Sequence, residues 1–273
     1  MSIDFRADLH CHSTCSDGTL SPNELVVLAK ETGLSGLCIT DHDTIESYPE
    51  VFKKAEEIGI EMIPGIEFST VLLGESVHIL GYSFAIDHDE IRNLCLQHVD
   101  RRRNRNEEIL ELLKKNGMPI HLDLEGKPKG RPHIAQAMVE AGYIDSVAQA
   151  FKKWIGDQKP CYSKGTSIST EETIRVIHEA GGIAVIAHPH LLRHNWIIPR
   201  LLELDFDGIE CYYARLGMNR HQRWLDIAKE KGLLVTGGSD FHGAIKPNIP
   251  LGCSWVNEET FRILQERYQS QSD

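Results

Sequence analysis

His10 and His12 flank one residue, and Asp17 follows on a Ser/Thr/Gly-rich loop. Three more ligand-dense tips lie far along the chain: Asp41-His42, His188 before Pro189, and Asp240-Phe241-His242. On a strand, residues i and i+2 share a face, so each such pair can turn both side chains toward one ion. Glu67 ends the run Ile63-Pro64-Gly65-Ile66, and His78 lies in the next strand. A carboxylate has two oxygens, so Glu67 can bridge two cations and hold them roughly 3.5–4 Å apart, the separation used in two-metal phosphoester chemistry.

Taken singly, each residue has an ordinary explanation. Alternating histidines line polar faces, strand-end glutamates are exposed, and a histidine such as His42 can be a satisfied structural group. Their conjunction is hard to explain as packing. His10, His12, Asp17, His42, Glu67, His78, His188, Asp240 and His242 all fall at the carboxyl ends of expected strands. The donors are all nitrogen and oxygen, which favours Mn²⁺ first, with Fe²⁺ or Zn²⁺ as alternatives, over soft metals.

The elements that must position these residues alternate. Strands are expected at Phe5–His10, Gly36–Thr40, Glu61–Glu67, Ile183–His188, Gly208–Tyr212 and Leu233–Gly237, with a hairpin over Phe68–Leu73 and Val77–Tyr82. Helices are expected at Ser21–Lys30, Glu46–Ile58, Glu171–Ala180, Ile197–Leu204 and Arg220–Lys231. Repeated βα units imply a parallel sheet, and their number suggests closure into a TIM-like barrel with its site at the carboxyl ends. Residues 87–170 break the alternation with charged helical stretches, Ile91–Asn116 and Pro132–Ala141. The expected organisation is therefore a barrel of residues 1–86 and 171–273 interrupted by a helical insertion at 87–170. The end, Tyr268–Asp273, reads as a polar, frayed tail.

Composition narrows the function classes. A hydrophobic content of 41% and a charged content of 25% are ordinary for a globular chain. No apolar run approaches membrane-spanning length, so no membrane role is expected. The N-terminus lacks signal-peptide features, and the seven cysteines are scattered without a CxxC pair, which suits a cytoplasmic protein with reduced thiols. A net charge of −11 disfavours a general surface for long nucleic acids, but divalent ions facing Asp17, Glu67 and Asp240 would make the site locally positive. Arg101-Arg102-Arg103-Asn104-Arg105 is the only strongly basic run; on a helix it spreads over several faces and reads as solvated surface.

The motifs Asp8-Leu9-His10-Cys11-His12 with Ser16-Asp17-Gly18, Thr40-Asp41-His42, Gly65-Ile66-Glu67, Ala187-His188-Pro189 and Gly238-Ser239-Asp240-Phe241-His242 resemble those of the PHP (polymerase and histidinol phosphatase) superfamily. The resemblance implies a distorted (βα)₇ barrel and three divalent ions. It implies that His10, His12, Glu67 and Asp240 hold one ion, that Glu67, His78 and His188 hold a second, and that Asp17, His42 and His242 hold the third. Gly130-Arg131-Pro132-His133 and Gly208-Ile209-Glu210-Cys211-Tyr212-Tyr213 resemble the stand-alone bacterial metal-dependent phosphoesterases of that superfamily. Members of that subgroup are nucleoside 3′,5′-bisphosphate phosphatases and 5′→3′ exonucleases on short RNA.

The expectation is a phosphoesterase in which a metal-activated hydroxide attacks phosphorus, with Glu67, Asp240 and His188 as catalytic residues. Arg131 and His133 are expected to contact substrate phosphate, Tyr212 to stack on a base, and His221, with His190 and His194, to lie in the loops that supply a leaving-group acid. The expected partner is a small phosphorylated nucleotide or short oligonucleotide, with no obligate protein partner. The competing readings are hydrolysis of a non-nucleotide monoester such as histidinol phosphate, and a non-catalytic metal-stabilised module.

Overall fold

The computed structural model describes residues 4–48, 50–124 and 129–271. In chain order the elements are β1 (Ala7–Cys11), α1 (Pro22–Glu31), β2 (Gly36–Ile39), α2 (Glu50–Ile58), β3 (Glu61–Met62), β4 (Gly65–Leu72) and β5 (Glu75–Tyr82). There follow α3 (Asp89–Lys115), α4 (Arg131–Glu140), α5 (Val147–Ala150) and α6 (Thr170–Glu179). The remainder is β6 (Ile183–Ile186), α7 (Ile197–Leu201), β7 (Gly208–Tyr213), α8 (Met218–Lys231), β8 (Leu234–Gly238) and α9 (Glu258–Gln269). None of the described helices is long and apolar enough to cross a membrane.

Local chemistry explains where elements begin and break. Ser21 caps α1 and exchanges hydrogen bonds with Glu24 in a capping box, with Pro22 at the first helical position where its missing N–H costs nothing. The single strand expected over Glu61–Glu67 is two, because Pro64 between β3 and β4 has no N–H for a ladder. Tyr48 repairs that break. Its hydroxyl donates to the carbonyl of Ile39 at 2.7 Å and accepts from the N–H of Gly65 at 3.1 Å, stitching the end of β2 to the start of β4. Tyr48→Phe strands a buried N–H and should lower stability by about 2 kcal/mol; urea melts showing an unchanged midpoint would contradict this.

The eight strands form two sheets, parallel β1-β2-β3 and mixed β4-β5-β6-β7-β8, rather than one run of βα units. The β4–β5 hairpin is antiparallel and so is β5–β6, so only β6, β7 and β8 run parallel in the second sheet. β8 stops at Gly238 ahead of Asp240, whose φ of 55° is incompatible with a strand, so β8 does not continue as a ladder along β1. The sheets meet instead through two pairs of backbone bonds. Asp240 N–H donates to His10 O at 2.7 Å and His12 N–H to Phe241 O at 2.9 Å. On the other side, Glu67 N–H donates to Asp41 O at 3.2 Å and Asp43 N–H to Glu67 O at 2.9 Å. The segments that join the sheets are those carrying the candidate ligands.

The chain divides into two compact units, one ending at Cys95 and resuming at Ile168, the other spanning Leu96–Ser167. The boundary falls inside α3. Ile91 and Leu94 are buried with Phe84, Ile174 and Ile177 in the core of the first unit, which is why the observed boundaries lie inside the expected 87 and 170. The second unit has its own core of Ile109, Leu113, Ile134, Met138 and Ile155.

The C-terminal end is not the frayed tail expected from Tyr268. Asn257 caps α9, Phe261 and Leu264 are fully buried, and Ser83 Oγ donates to Leu264 O at 2.7 Å. Gln271 beyond it still donates to Gly181 O at 2.9 Å. Ser272 and Asp273 lie outside the described residues.

Candidate metal centre

All nine residues singled out by spacing converge in the first unit. β1 delivers His10 and the loop after it His12 and Asp17; the β2 end gives His42, β4 Glu67, β5 His78, the β6 end His188, and the segment after β8 Asp240 and His242. Glu67 is the hub and is 1% exposed. Its Oε1 lies 2.7 Å from His78 Nδ1 and 2.8 Å from His188 Nε2. Its Oε2 lies 3.2 Å from His10 Nε2, 3.1 Å from His12 Nε2 and 3.2 Å from His42 Nδ1.

Three overlapping clusters offer one donor atom per residue: His10, His12, Glu67 and Asp240; His12, Asp17, His42 and His242; and His42, Glu67 and His78. Within the first, His10 Nε2 and His12 Nε2 are 3.2 Å apart, and Asp240 Oδ1 lies 3.5 and 3.2 Å from them. Donors bound tetrahedrally to one ion at 2.0–2.2 Å would stand about 3.3 Å apart, so this cluster already has the spacing of an ion's ligands. The grouping differs in detail from the expected sets. His42 falls in two clusters, and His188 joins through its bond to Glu67 alone.

Electrostatics give the same reading. Burial alone would push Glu67, Asp17 and Asp240 up, yet the surrounding imidazoles hold all three carboxyls well below their ordinary range. Burial likewise pulls His10 and His12 down, but Glu210, Glu67 and Asp240 hold His10 well above its ordinary value, and Asp240 and Glu67 raise His12 to about 9. His42, for which burial wins, is pushed down to about 3. The buried carboxylates thus demand positive charge, which protons on His10 and His12 supply in the metal-free protein and divalent ions would supply instead. His12 Nδ1 is buried without a hydrogen-bond partner, as expected of an atom kept for ligation. The donor set and this unpartnered atom fit a multinuclear site.

Two ligands sit in left-handed backbone, His188 at φ 23° and Asp240 at φ 55°. Such conformations persist where surroundings over-determine them and cluster at functional sites. Each has its N–H tied: His188 to Glu210 Oε2 at 2.7 Å, and Asp240 to His10 O at 2.7 Å.

The expected substrate residues are dispersed. Arg131 belongs to the second unit, where Nη1 lies 3.1 Å from Asp157 Oδ1 and the guanidinium is 5.5 Å from the Tyr162 ring. His133 accepts from the N–H of Gly130 at 2.9 Å and so closes the start of α4. Tyr212 is half-buried and meets His221 edge-on at 5.6 Å. His221 is 5% exposed, and its Nε2 accepts from the N–H of Tyr213 at 3.4 Å, which suits it to holding β7 more than to reaching a ligand. His190 stacks on Tyr213 at 5.6 Å and is pushed down to about 4, chiefly by burial; His194 pairs with Glu75 at 3.0 Å. The basic run on α3 is not simply solvated: Arg105 is 8% exposed, and Arg101 donates to Thr166 O at 2.7 Å.

Several partners of the candidate ligands were given no such role by the sequence. Asp240 Oδ2 accepts from Tyr213 OH and from Lys246 Nζ, both at 2.6 Å. Asp41 accepts from Ser13 N–H and Oγ and from Ser16 Oγ, fixing the loop that carries Asp17. Asp8 accepts from the N–H groups of Ser239 and Gly252 at 2.9 and 2.8 Å. Glu210 contacts both His10 and His188; the sequence marked it only as part of the Gly208–Tyr213 motif and gave it no role.

Comparison with known proteins is consistent with this geometry. The PHP domain profile matches residues 8–157. A 5′-3′ exoribonuclease of Haemophilus influenzae is 39% identical over 264 residues, covering 91% of each chain. A 3′,5′-nucleoside bisphosphate phosphatase of Chromobacterium violaceum is 29% identical over 246 residues, covering 86% of each. A solved structure from Bifidobacterium adolescentis, described as a metal-dependent phosphoesterase, superposes with a TM-score of 0.86 at 33% identity over 96% of each chain.

Proposed function

Because the chain belongs to the PHP family and is a metal-dependent phosphoesterase, we propose that it hydrolyses phosphate esters of nucleotides, as a 5′→3′ exonuclease on short RNA, a nucleoside 3′,5′-bisphosphate phosphatase, or both. The observation that carries the reading is Glu67, one buried carboxylate facing five imidazoles, with Asp17 and Asp240 completing three donor clusters. We read the clusters as the seats of three divalent ions, Mn²⁺ first among the candidates, and the two hydrogen-bonded sheets as a distorted barrel. When bound, such ions supply a water of lowered pKa as nucleophile and neutralise charge on the phosphoryl oxygens.

The chain's own groups supply orientation. Asp240 presents Oδ1 to His10 and His12 because Tyr213 and Lys246 occupy Oδ2. Glu67 divides its two oxygens between His78 and His188 on one side and His10, His12 and His42 on the other, so its carboxylate cannot rotate without losing several contacts. Burial keeps bulk water from screening these charges.

The second unit is basic, as suits attraction of a polyanion such as a nucleotide. Residues 96–167 carry thirteen Lys/Arg against nine Asp/Glu, a net +4, whereas the rest of the chain carries −15. Arg131 offers a planar fork suited to phosphate. Arg131→Ala should raise KM for adenosine 3′,5′-bisphosphate about tenfold or more with kcat largely retained, the loss expected of one charge-assisted hydrogen bond. An unchanged KM would remove Arg131 from substrate binding.

The deciding experiment follows, in Mn²⁺ buffer, phosphate release from adenosine 3′,5′-bisphosphate and from histidinol phosphate, and mononucleotide release from a short 5′-phosphorylated RNA. Turnover of either nucleotide is expected. Preference for histidinol phosphate, or no release from any of the three, would overturn the reading.

A further inference from the structure

Glu210 belongs to none of the donor clusters, yet it is fully buried beside them and uses both oxygens. Its Oε1 lies 2.9 Å from His10 Nδ1, and its Oε2 accepts the backbone N–H of His188 at 2.7 Å. His10 stands on β1, at the start of the chain, and His188 follows β6. One carboxylate from β7 therefore fixes two ligands that are 178 residues apart in sequence.

The backbone around Glu210 is shaped for this. β7 pairs with β8 in register up to Glu210 opposite Thr236, but the next pair is Tyr212 opposite Gly237, leaving Cys211 as an extra residue. A bulge of that kind re-aims a neighbouring side chain and is common beside active sites. At the other end of the contact, the His188 backbone sits at φ 23° and ψ 61°, which an L-residue adopts only when held there.

We propose that Glu210 is the positioning residue of the centre, acting through His10 and His188 and touching neither ion nor substrate; the proposal rests on the metal-centre reading above. By accepting the Nδ1–H of His10 it selects the tautomer whose Nε2 lone pair faces Glu67, His12 and Asp240. By accepting the His188 N–H it keeps that residue in the left-handed conformation that turns its Nε2 to Glu67 Oε1, 2.8 Å away. Its two roles are separable in kind: one fixes which nitrogen of a ligand is available, the other fixes where a ligand's backbone lies. Partners of this sort typically contribute 10–100-fold to metal affinity.

The isosteric variant Glu210→Gln tests this. An amide has one acceptor oxygen, so one of the two donors must face an NH₂ group. Zn²⁺ and Mn²⁺ dissociation constants, measured by competition with a chromophoric chelator, should weaken by roughly 10–100-fold while circular dichroism stays that of the parent. In the zinc-loaded parent protein, ¹⁵N-detected imidazole NMR should find His10 protonated at Nδ1; in Glu210→Gln that signature should shift or split. Parent-like dissociation constants in Glu210→Gln, or His10 of the parent bound to zinc through Nδ1, would overturn the proposal. The NMR measurement on the parent stands even if the variant does not fold. Failure of the parent to bind either metal would instead overturn the metal-centre reading, so the two failures are distinguishable.

Discussion

Glu67→Gln should reduce phosphate release by about 10³-fold or more in metal-replete buffer, with secondary structure unchanged. The substitution keeps the shape of the side chain but removes the charge that five imidazoles face, and it places an NH₂ group where an oxygen now stands between His78 and His188. Two-metal centres contribute several kcal/mol of transition-state charge stabilisation, and about 4 kcal/mol corresponds to about 10³-fold in rate. Asp240→Asn should act in the same direction and additionally deprive Lys246 of its partner. Turnover within a few-fold of the parent in Glu67→Gln, measured with saturating Mn²⁺, would show that the centre does not carry the chemistry.

Exhaustive chelation should abolish activity and lower the melting temperature on the order of 10 °C, both restored by adding back a divalent ion. An ion held at a thousandfold excess over its dissociation constant stabilises the native state by about 4 kcal/mol, and in a protein of this size each kcal/mol moves the midpoint by about 2–4 °C. Removal should not unfold the chain at room temperature, because protons on His10 and His12 can compensate the buried carboxylates. Identical melting curves with and without chelator would show that the clusters hold no ion in the native protein.

Much of the centre was legible in the sequence, for a definite reason. A strand repeats every two residues, so His10 and His12 announce a shared face without any knowledge of the fold. His188 stands at the end of an apolar run, where a carboxyl-end loop begins, whereas Glu67 follows an apolar run but lies inside β4, which continues to Leu72. What sequence did not yield depends on contacts between distant segments. Lys246 has no motif around it and acquires meaning only through Asp240 at 2.6 Å. Glu210 reads as an ordinary strand residue until β7 is bulged against β8 and its oxygens meet His10, 200 residues away.

The fold was legible in its elements more than in its closure. Alternation located nearly every strand, but the end of β8 beside β1 turns on the positive φ of Asp240, which has no compositional mark. Two misses were readable in principle. Pro64 forbids an unbroken strand through Glu61–Glu67, and Asn257 with Phe261 and Leu264 has the cap and spacing of the helix that α9 proves to be. His221, expected near substrate, is instead spent on the backbone of Tyr213, a bond that spacing cannot foresee.

The bonds that tie Asp8 to Ser239 and Gly252 span 231 and 244 residues. A ribosome making this chain releases His10, His12, Asp17, His42, Glu67 and His78 early, and His188, Asp240 and His242 only near the end. Throughout that interval the early donors have no partner strand across the seam, since His10 O waits for the N–H of Asp240. The nascent polypeptide therefore carries most of its donor atoms without a centre in which to use them. A chain truncated before β8 would lack Asp240 and His242 and would leave His10 O without the N–H of Asp240, so its early donors would have nothing to close against.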